Sequence, residues 1–222
     1  MVQPRTILVG GGGFCRELLV WGADCVAAGT LPPIGGYIDD TGDQLAKLGY
    51  DLPWLGSITD YFPGPQDNFV LAIGSPAGKR AIHGTLSVRG GSFPKLIHPT
   101  ARIAPTAQLA EGCIFLLMGV AGPETRIERF VTVNGGSGIG HDGTVGEFTT
   151  LSSHVDVTGG AHIGRDAMIG SKALLMPKVR IGDGATVGAG SVVYRSVPAG
   201  ATVFANPAKV VRFKRPGSEQ GR

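Results

Sequence analysis

The chain has 222 residues, of which 42% are hydrophobic, enough to build cores without disulfide or metal staples. Its three cysteines, Cys15, Cys25 and Cys113, form no C-x-x-C pair, which argues against a disulfide framework or a zinc knuckle and for a reducing compartment. A net charge of +3 suits anionic ligands, but the Lys and Arg residues are scattered rather than striped, so nucleic acid is not an expected partner.

In chain order, Thr6–Val9 reads as a short apolar strand, Cys15–Ala28 as a helix, Ile34–Ile38 as a second strand, Phe69–Ile73 as a third and Ala77–Val88 as a second helix. This alternation predicts a small parallel α/β sheet, a Rossmann-like βαβαβ unit over residues 1–95. Its turns carry Gly10 to Gly13, Asp39-Asp40 and Gly74-Ser75, all directly after strands, where open α/β sheets bind ligands. Two readings fit the glycine run. Its backbone N–H groups could approach a phosphate at a helix N-terminus, or it could be a tight turn with no ligand. The full dinucleotide fingerprint is missing, because Cys15 or Arg16 stands at its third glycine, so no nicotinamide cofactor is expected. Asp39 and Asp40 likewise suit either a ribose or base, as hydrogen-bond acceptors, or a solvated turn.

From Ile97 the period changes. Every sixth residue up to Val193 is apolar, seventeen in succession. At this composition such a run arises by chance roughly a few times in a million, and neither a 3.6 nor a 2.0 period produces it. Four residues after many of these lie small or β-branched residues such as Ala101, Ala107, Ser137, Ala161 and Ala173, with Gly, Asp and Pro between. The pattern predicts a parallel β-helix over about residues 96–203, in which residues stacked on successive coils differ by eighteen. The stretch 204–222, starting near Ala205-Asn-Pro-Ala-Lys-Val-Val-Arg212, departs from the repeat and is expected to form a cap and tail. The longest apolar run, Cys113 to Val120, is short of a membrane span, and the N-terminus lacks a signal-peptide layout, so a soluble cytoplasmic protein is expected.

The segment Asn134-Gly-Gly-Ser-Gly-Ile-Gly-His141-Asp142 is the best place for chemistry. His141 follows the inward Ile139 by two residues, which puts it outside the coil near a corner. A histidine titrating near neutrality beside a carboxylate is what a general base requires, although a surface histidine in a turn fits the spacing equally well.

The hexads resemble those of the hexapeptide-repeat acyltransferases, which implies a left-handed β-helix. His141-Asp142, Asn134, the glycine turn, Leu96-Ile-His-Pro99 and Asn206-Pro-Ala-Lys209 together resemble the bacterial nucleotide-sugar acyltransferases, a family that includes sialic-acid O-acetyltransferases and 4-amino-sugar N-acetyltransferases. The perosamine N-acetyltransferase type is the nearest. The resemblance implies a homotrimer that takes acetyl-CoA in the groove between neighbouring β-helices and a nucleotide sugar on the N-terminal unit. It implies His141 as base with Asp142 raising its basicity. Gly12, Gly13, Phe14, Asp39, Asp40, Gly74 and Asn134 fall at nucleotide-sugar positions, and Thr150, Gly159, Ser171, Ala189 and Lys209 at coenzyme positions. Phe14 and Thr150 depart from the family, since each stands where relatives have histidine.

The implied activity is acetylation of the C4 amine of a nucleotide-linked 4-amino-4,6-dideoxy sugar such as GDP-perosamine, in surface polysaccharide synthesis. The alternatives are a sugar O-acetyltransferase and a non-catalytic trimeric scaffold. No metal is expected: a γ-carbonic-anhydrase-like site needs histidines meeting across coils, whereas His141, His154 and His162 are thirteen and eight apart.

Overall fold

A computed structural model describes residues 3–207 and 209–213; Ala208 and residues 214–222 of the expected cap and tail lie outside the described residues. The first part is a three-stranded parallel sheet in the order β2-β1-β3, formed by β1 (Arg5–Val9), β2 (Ile34–Ile38) and β3 (Asp67–Leu71). Helices α1 (Gly13–Ala27) and α2 (Pro76–Ser87) cover its two faces. Strand alternation divides the apolar residues between them. Leu8, Val70 and Ala72 pack with Cys15, Leu18 and Cys25 of α1, whereas Ile7, Val9, Phe69 and Leu71 pack with Leu86 of α2. The expected elements are all present, with α1 and β3 each starting two residues earlier than the sequence pattern placed them.

Two-residue strands then recur every six residues, from β4 (Leu96–Ile97) to β20 (Val192–Val193), and stack in parallel into three sheets. This is the left-handed parallel β-helix. The second residue of each strand is the apolar residue of the repeat, and the column from Phe115 to Val203 forms one continuous core. Pairs such as Thr132↔Thr150 and Gly138↔Asp156 confirm the eighteen-residue coil. The interval fails only at the end: Ile181 pairs with Val197 and Val187 with Val203, sixteen residues on. The stack closes with a hairpin of β21 (Ala201–Phe204) and β22 (Lys209–Phe213), joined through the cis Asn206–Pro207 bond.

The corners explain how the two parts join. From Gly112 to Gly190, three residues after each inward apolar position, the chain turns through the left-handed region, where side chains are costly unless packing compensates. Two such corners carry phenylalanine, Phe130 and Phe148, each at φ 58°. Their rings stack 5.0 Å apart, at 11°, and His83 of α2 lies 4.3 Å from Phe130. Burial of both rings in the α2 cluster offsets the strained backbone. Arg80 lies over Phe148 and pairs with both Glu147 and Asp166. Lys79 is buried beneath the helix, its Nζ donating to Phe130 O, Thr132 Oγ1 and Thr149 O at 2.8, 3.1 and 3.2 Å. On the other side His98 joins the first coil to Asp24 of α1 at 3.0 Å. The outward residues Leu96, Ile114, Thr132 and Thr150 are consequently buried under the N-terminal unit.

Candidate active site

Gly10 leaves β1 at φ 105°, and at Gly11 a Cβ would come within 2.9 Å of the Tyr37 ring, so the turn is built for glycine. The Asp39 carboxylate holds it, accepting from Gly11 N at 2.6 Å and from Thr41 N at 2.7 Å. Asp40 Oδ1 accepts from Thr59 N at 3.0 Å. Helix α1 then starts at an uncapped glycine with no acid in its first turn, and the amides of Gly12, Gly13 and Phe14 donate to no acceptor among the described residues. This is the positive end of a fifteen-residue helix with its donors open.

Six of the expected sugar-nucleotide residues, Gly12, Gly13, Phe14, Asp39, Asp40 and Gly74, line one open pocket of about 380 Å³ there, with Ile58, Ile73 and Ile82 supplying its apolar wall. Asn134 is not among them. It lies at a corner of the β-helix, half-buried, and its Oδ1 is enclosed without a partner.

Sequence reasoning missed a second compartment. It shares Gly11, Gly12, Gly13, Asp39 and Thr41 with the first and adds Arg16, Gln44 and Lys47. Among the described residues neither cation has a carboxylate within ion-pair distance; Lys47 reaches only Gln44 Oε1, at 3.3 Å, and Arg16 Nε is buried without an acceptor. Arg16 was visible in the sequence only as the residue that spoils the dinucleotide fingerprint, and its nearness to Lys47 arises from the turn after β2.

His141 is 69% exposed at the corner after β11 (Gly138–Ile139), with Nδ1 2.8 Å from Asp142 Oδ2. A donated Nδ1–H fixes the tautomer that leaves Nε2 free as a base. Gly159, one coil on, lies directly against the ring, and its N–H has no acceptor among the described residues. Ser171 and Ala189 are exposed and stack eighteen residues apart, but on the corners after the eight-stranded sheet, whereas His141 follows the six-stranded sheet. Lys209 is exposed in the terminal hairpin.

Thr150 departs from expectation. It is 1% exposed in the seam between the two parts, and its hydroxyl donates to Gly74 O at 2.8 Å, so it is not available to a coenzyme in this chain. The short threonine side chain makes the position a tie between β-helix and pocket. Thr150→Val is expected to cost about 1 kcal/mol in chemical denaturation, because it removes the hydrogen bond between the β-helix and the Gly74 turn.

Burial pushes the Cys15 thiol up to about 12, with the Asp39 charge adding to the effect, and burial pushes Cys113 up to about 11. Neither is poised as a nucleophile. No three His, Cys, Asp or Glu side chains converge as metal ligands among the described residues, and no helix there is long and apolar enough to cross a membrane.

Residues 160–195 match the family model described as bacterial transferase hexapeptide, six repeats. The chain is similar to the acetyltransferase domain of PglB from Neisseria gonorrhoeae, at 25% identity over 94% of this chain and 100% of that one, with a TM-score of 0.84. It is similar to WeeI from Acinetobacter baumannii at 26% identity, over 95% and 100% of the two chains, with a TM-score of 0.78. PerB from Caulobacter crescentus, solved in complex with CoA and GDP-perosamine, shares the fold at 23% identity over 96% and 99%, with a TM-score of 0.83. The hexapeptide family match lies within the β-helix, and the similarity to these acetyltransferase structures extends along 94–96% of the chain.

Proposed function

We propose that the protein is an acetyl-CoA-dependent N-acetyltransferase acting on the C4 amine of a nucleotide-linked 4-amino-4,6-dideoxy sugar, GDP-perosamine being the first candidate. The observation that carries this reading is the pairing of an open glycine-turn pocket, lined as a nucleotide site should be, with an exposed His141–Asp142 pair on a hexapeptide β-helix. The relatives support it: PerB is solved with CoA and GDP-perosamine, and the PglB domain is an acetyltransferase domain.

The acceptor amine is mostly protonated at neutral pH. His141 Nε2 takes one proton from the ammonium and passes it to solvent, and the neutral nitrogen attacks the thioester carbonyl. The nitrogen then gives its second proton to His141 as the tetrahedral intermediate collapses, and the imidazolium delivers that proton to the departing coenzyme thiolate. A carbon–nitrogen bond forms and a carbon–sulfur bond breaks. The free N–H of Gly159 beside the ring is the best donor for the oxyanion. Direct transfer is favoured over an acyl-enzyme because burial raises the thiols of Cys15, Cys25 and Cys113.

His141 lines neither compartment of the nucleotide pocket, and it sits on a different corner from Ser171 and Ala189. A homotrimer would bring one chain's base to a neighbour's coenzyme and sugar. The reaction would serve surface-polysaccharide synthesis in the cytoplasm.

Arg16 and Lys47 would neutralise the diphosphate over the open amides of α1. Arg16→Gln is expected to weaken GDP binding about tenfold in calorimetry while leaving acetyl-CoA binding unchanged. The reading itself is tested by thiol release from acetyl-CoA across GDP-, UDP- and dTDP-linked amino sugars, with NMR of the product. An amide at C4 is expected. An ester would make the protein an O-acetyltransferase, and coenzyme binding with no thiol release for any acceptor would sink the enzymatic reading.

A further inference from the structure

The His141 ring has a floor. Gly159 stands eighteen residues on, directly beneath it, and the next amide, Gly160 N, donates to His141 O at 2.8 Å. A Cβ built on Gly159 would collide with His141 Nε2 and lie 2.7 Å from Cε1 and 2.9 Å from Cδ2, far inside van der Waals contact. The backbone does not itself demand glycine at this position, since Gly159 lies outside the left-handed region. Its neighbour Gly160, at φ 69°, is the corner residue. Of the two adjacent glycines, one therefore answers to the turn, whereas at the other the atoms a side chain would meet first are those of the imidazole.

The ring has one other anchor. Asp142, which accepts from Nδ1, is fixed to the previous coil by its own amide, which donates to Pro123 O at 3.0 Å. We infer that Gly159 is a positioning residue for the general base: its bare α-carbon is the surface on which the His141 imidazole rests while Asp142 holds Nδ1. This rests on the role proposed above for His141, and adds that the missing side chain at Gly159 sets where Nε2 points.

The obstruction falls on a side chain that is mostly exposed, so the ring can swing aside without unfolding the coil. Gly159→Ala is expected to lower kcat about 10- to 100-fold, the scale of a base misplaced by an ångström, with KM for both substrates and the denaturation midpoint unchanged. In a His141→Ala background the same substitution is expected to have no further effect. An equal fall in both backgrounds, or a loss confined to KM for acetyl-CoA, would overturn the inference. Imidazole NMR of the free enzyme reads the seat without turnover. The His141 ring signals should move in Gly159→Ala, and unchanged signals would refute the seat. Full turnover in His141→Ala, with ring signals that still move in Gly159→Ala, would remove the base assignment and leave the seat standing.

Discussion

His141→Asn is expected to lower turnover by about 10²–10⁴, the usual worth of a general base, while acetyl-CoA binds nearly as before. The imidazole projects from a corner, is 69% exposed and makes its one side-chain hydrogen bond among the described residues with Asp142, so its removal should leave the fold intact. The residual rate would come from substrates still held together and from a backbone oxyanion donor that the substitution does not touch. Asp142→Asn should be milder, because the ring survives but loses the acceptor that sets its tautomer. Steady-state thiol release and coenzyme calorimetry separate the two effects. Unchanged kcat in His141→Asn would remove His141 from the mechanism, and acetylated enzyme trapped without sugar would replace direct transfer with a covalent route.

Stability should rise with pH from about 7 to 8.5, and Lys79 should be the cause; at higher pH the buried thiols of Cys15 and Cys113, raised from 9.0, act in the opposite direction. Burial lowers this amine from 10.5 to about 7, against a partial opposing pull from Cys113 and Asp166. Three oxygens accept from Nζ, yet no carboxylate lies within ion-pair distance among the described residues. Within that pH window the unfolded chain carries a proton on Lys79 that the folded chain has released. Raising the pH therefore favours the folded state, and below pH 7 the full cost of the buried cation applies. The Lys79 contribution over its whole titration is on the order of 5 kcal/mol, of which about 2 kcal/mol falls between pH 7 and 8.5. Urea denaturation from pH 7 to 8.5 should show the slope in the wild-type chain and lose it in Lys79→Met, which keeps the stem and has no proton to release. A slope that persists in Lys79→Met would assign it to other groups. Lys79→Ala should lose the slope as well, so its destabilisation, on the order of 3 kcal/mol where the wild-type amine is neutral, should shrink as the pH falls towards 7.

Both halves of the architecture were legible because each rests on a local period. The six-residue recurrence from Ile97 to Val193 specifies which side chains face inward, and stacking at eighteen follows from three faces per coil. The two-residue shortening before Val197 was not legible, since Val197 lies four residues after Val193, where small or β-branched residues recur along the repeat, and only its pairing with Ile181 shows the register change. Gly12, Gly13, Phe14, Asp39, Asp40 and Gly74 could be placed together because all three turns follow strands of one parallel sheet.

Other site features depend on distant contacts. Thr150 carries no mark in the sequence of its tie to Gly74, seventy-six residues away. Phe130 and Phe148 fall at turn positions that a reader of turn chemistry would leave to glycine or asparagine, and only the docked α2 explains them. Lys79 and Arg80 look like ordinary helix-surface cations until α2 is laid on the coil. Sequence by itself determined the β-helix, the small parallel sheet and the His141–Asp142 pair, because short-range periods and adjacent residues encode them. Only the tertiary structure decided how the parts join, that Arg16 and Lys47 share the glycine pocket, and that Gly159 carries the His141 ring, because those relations depend on where one packed unit rests on another.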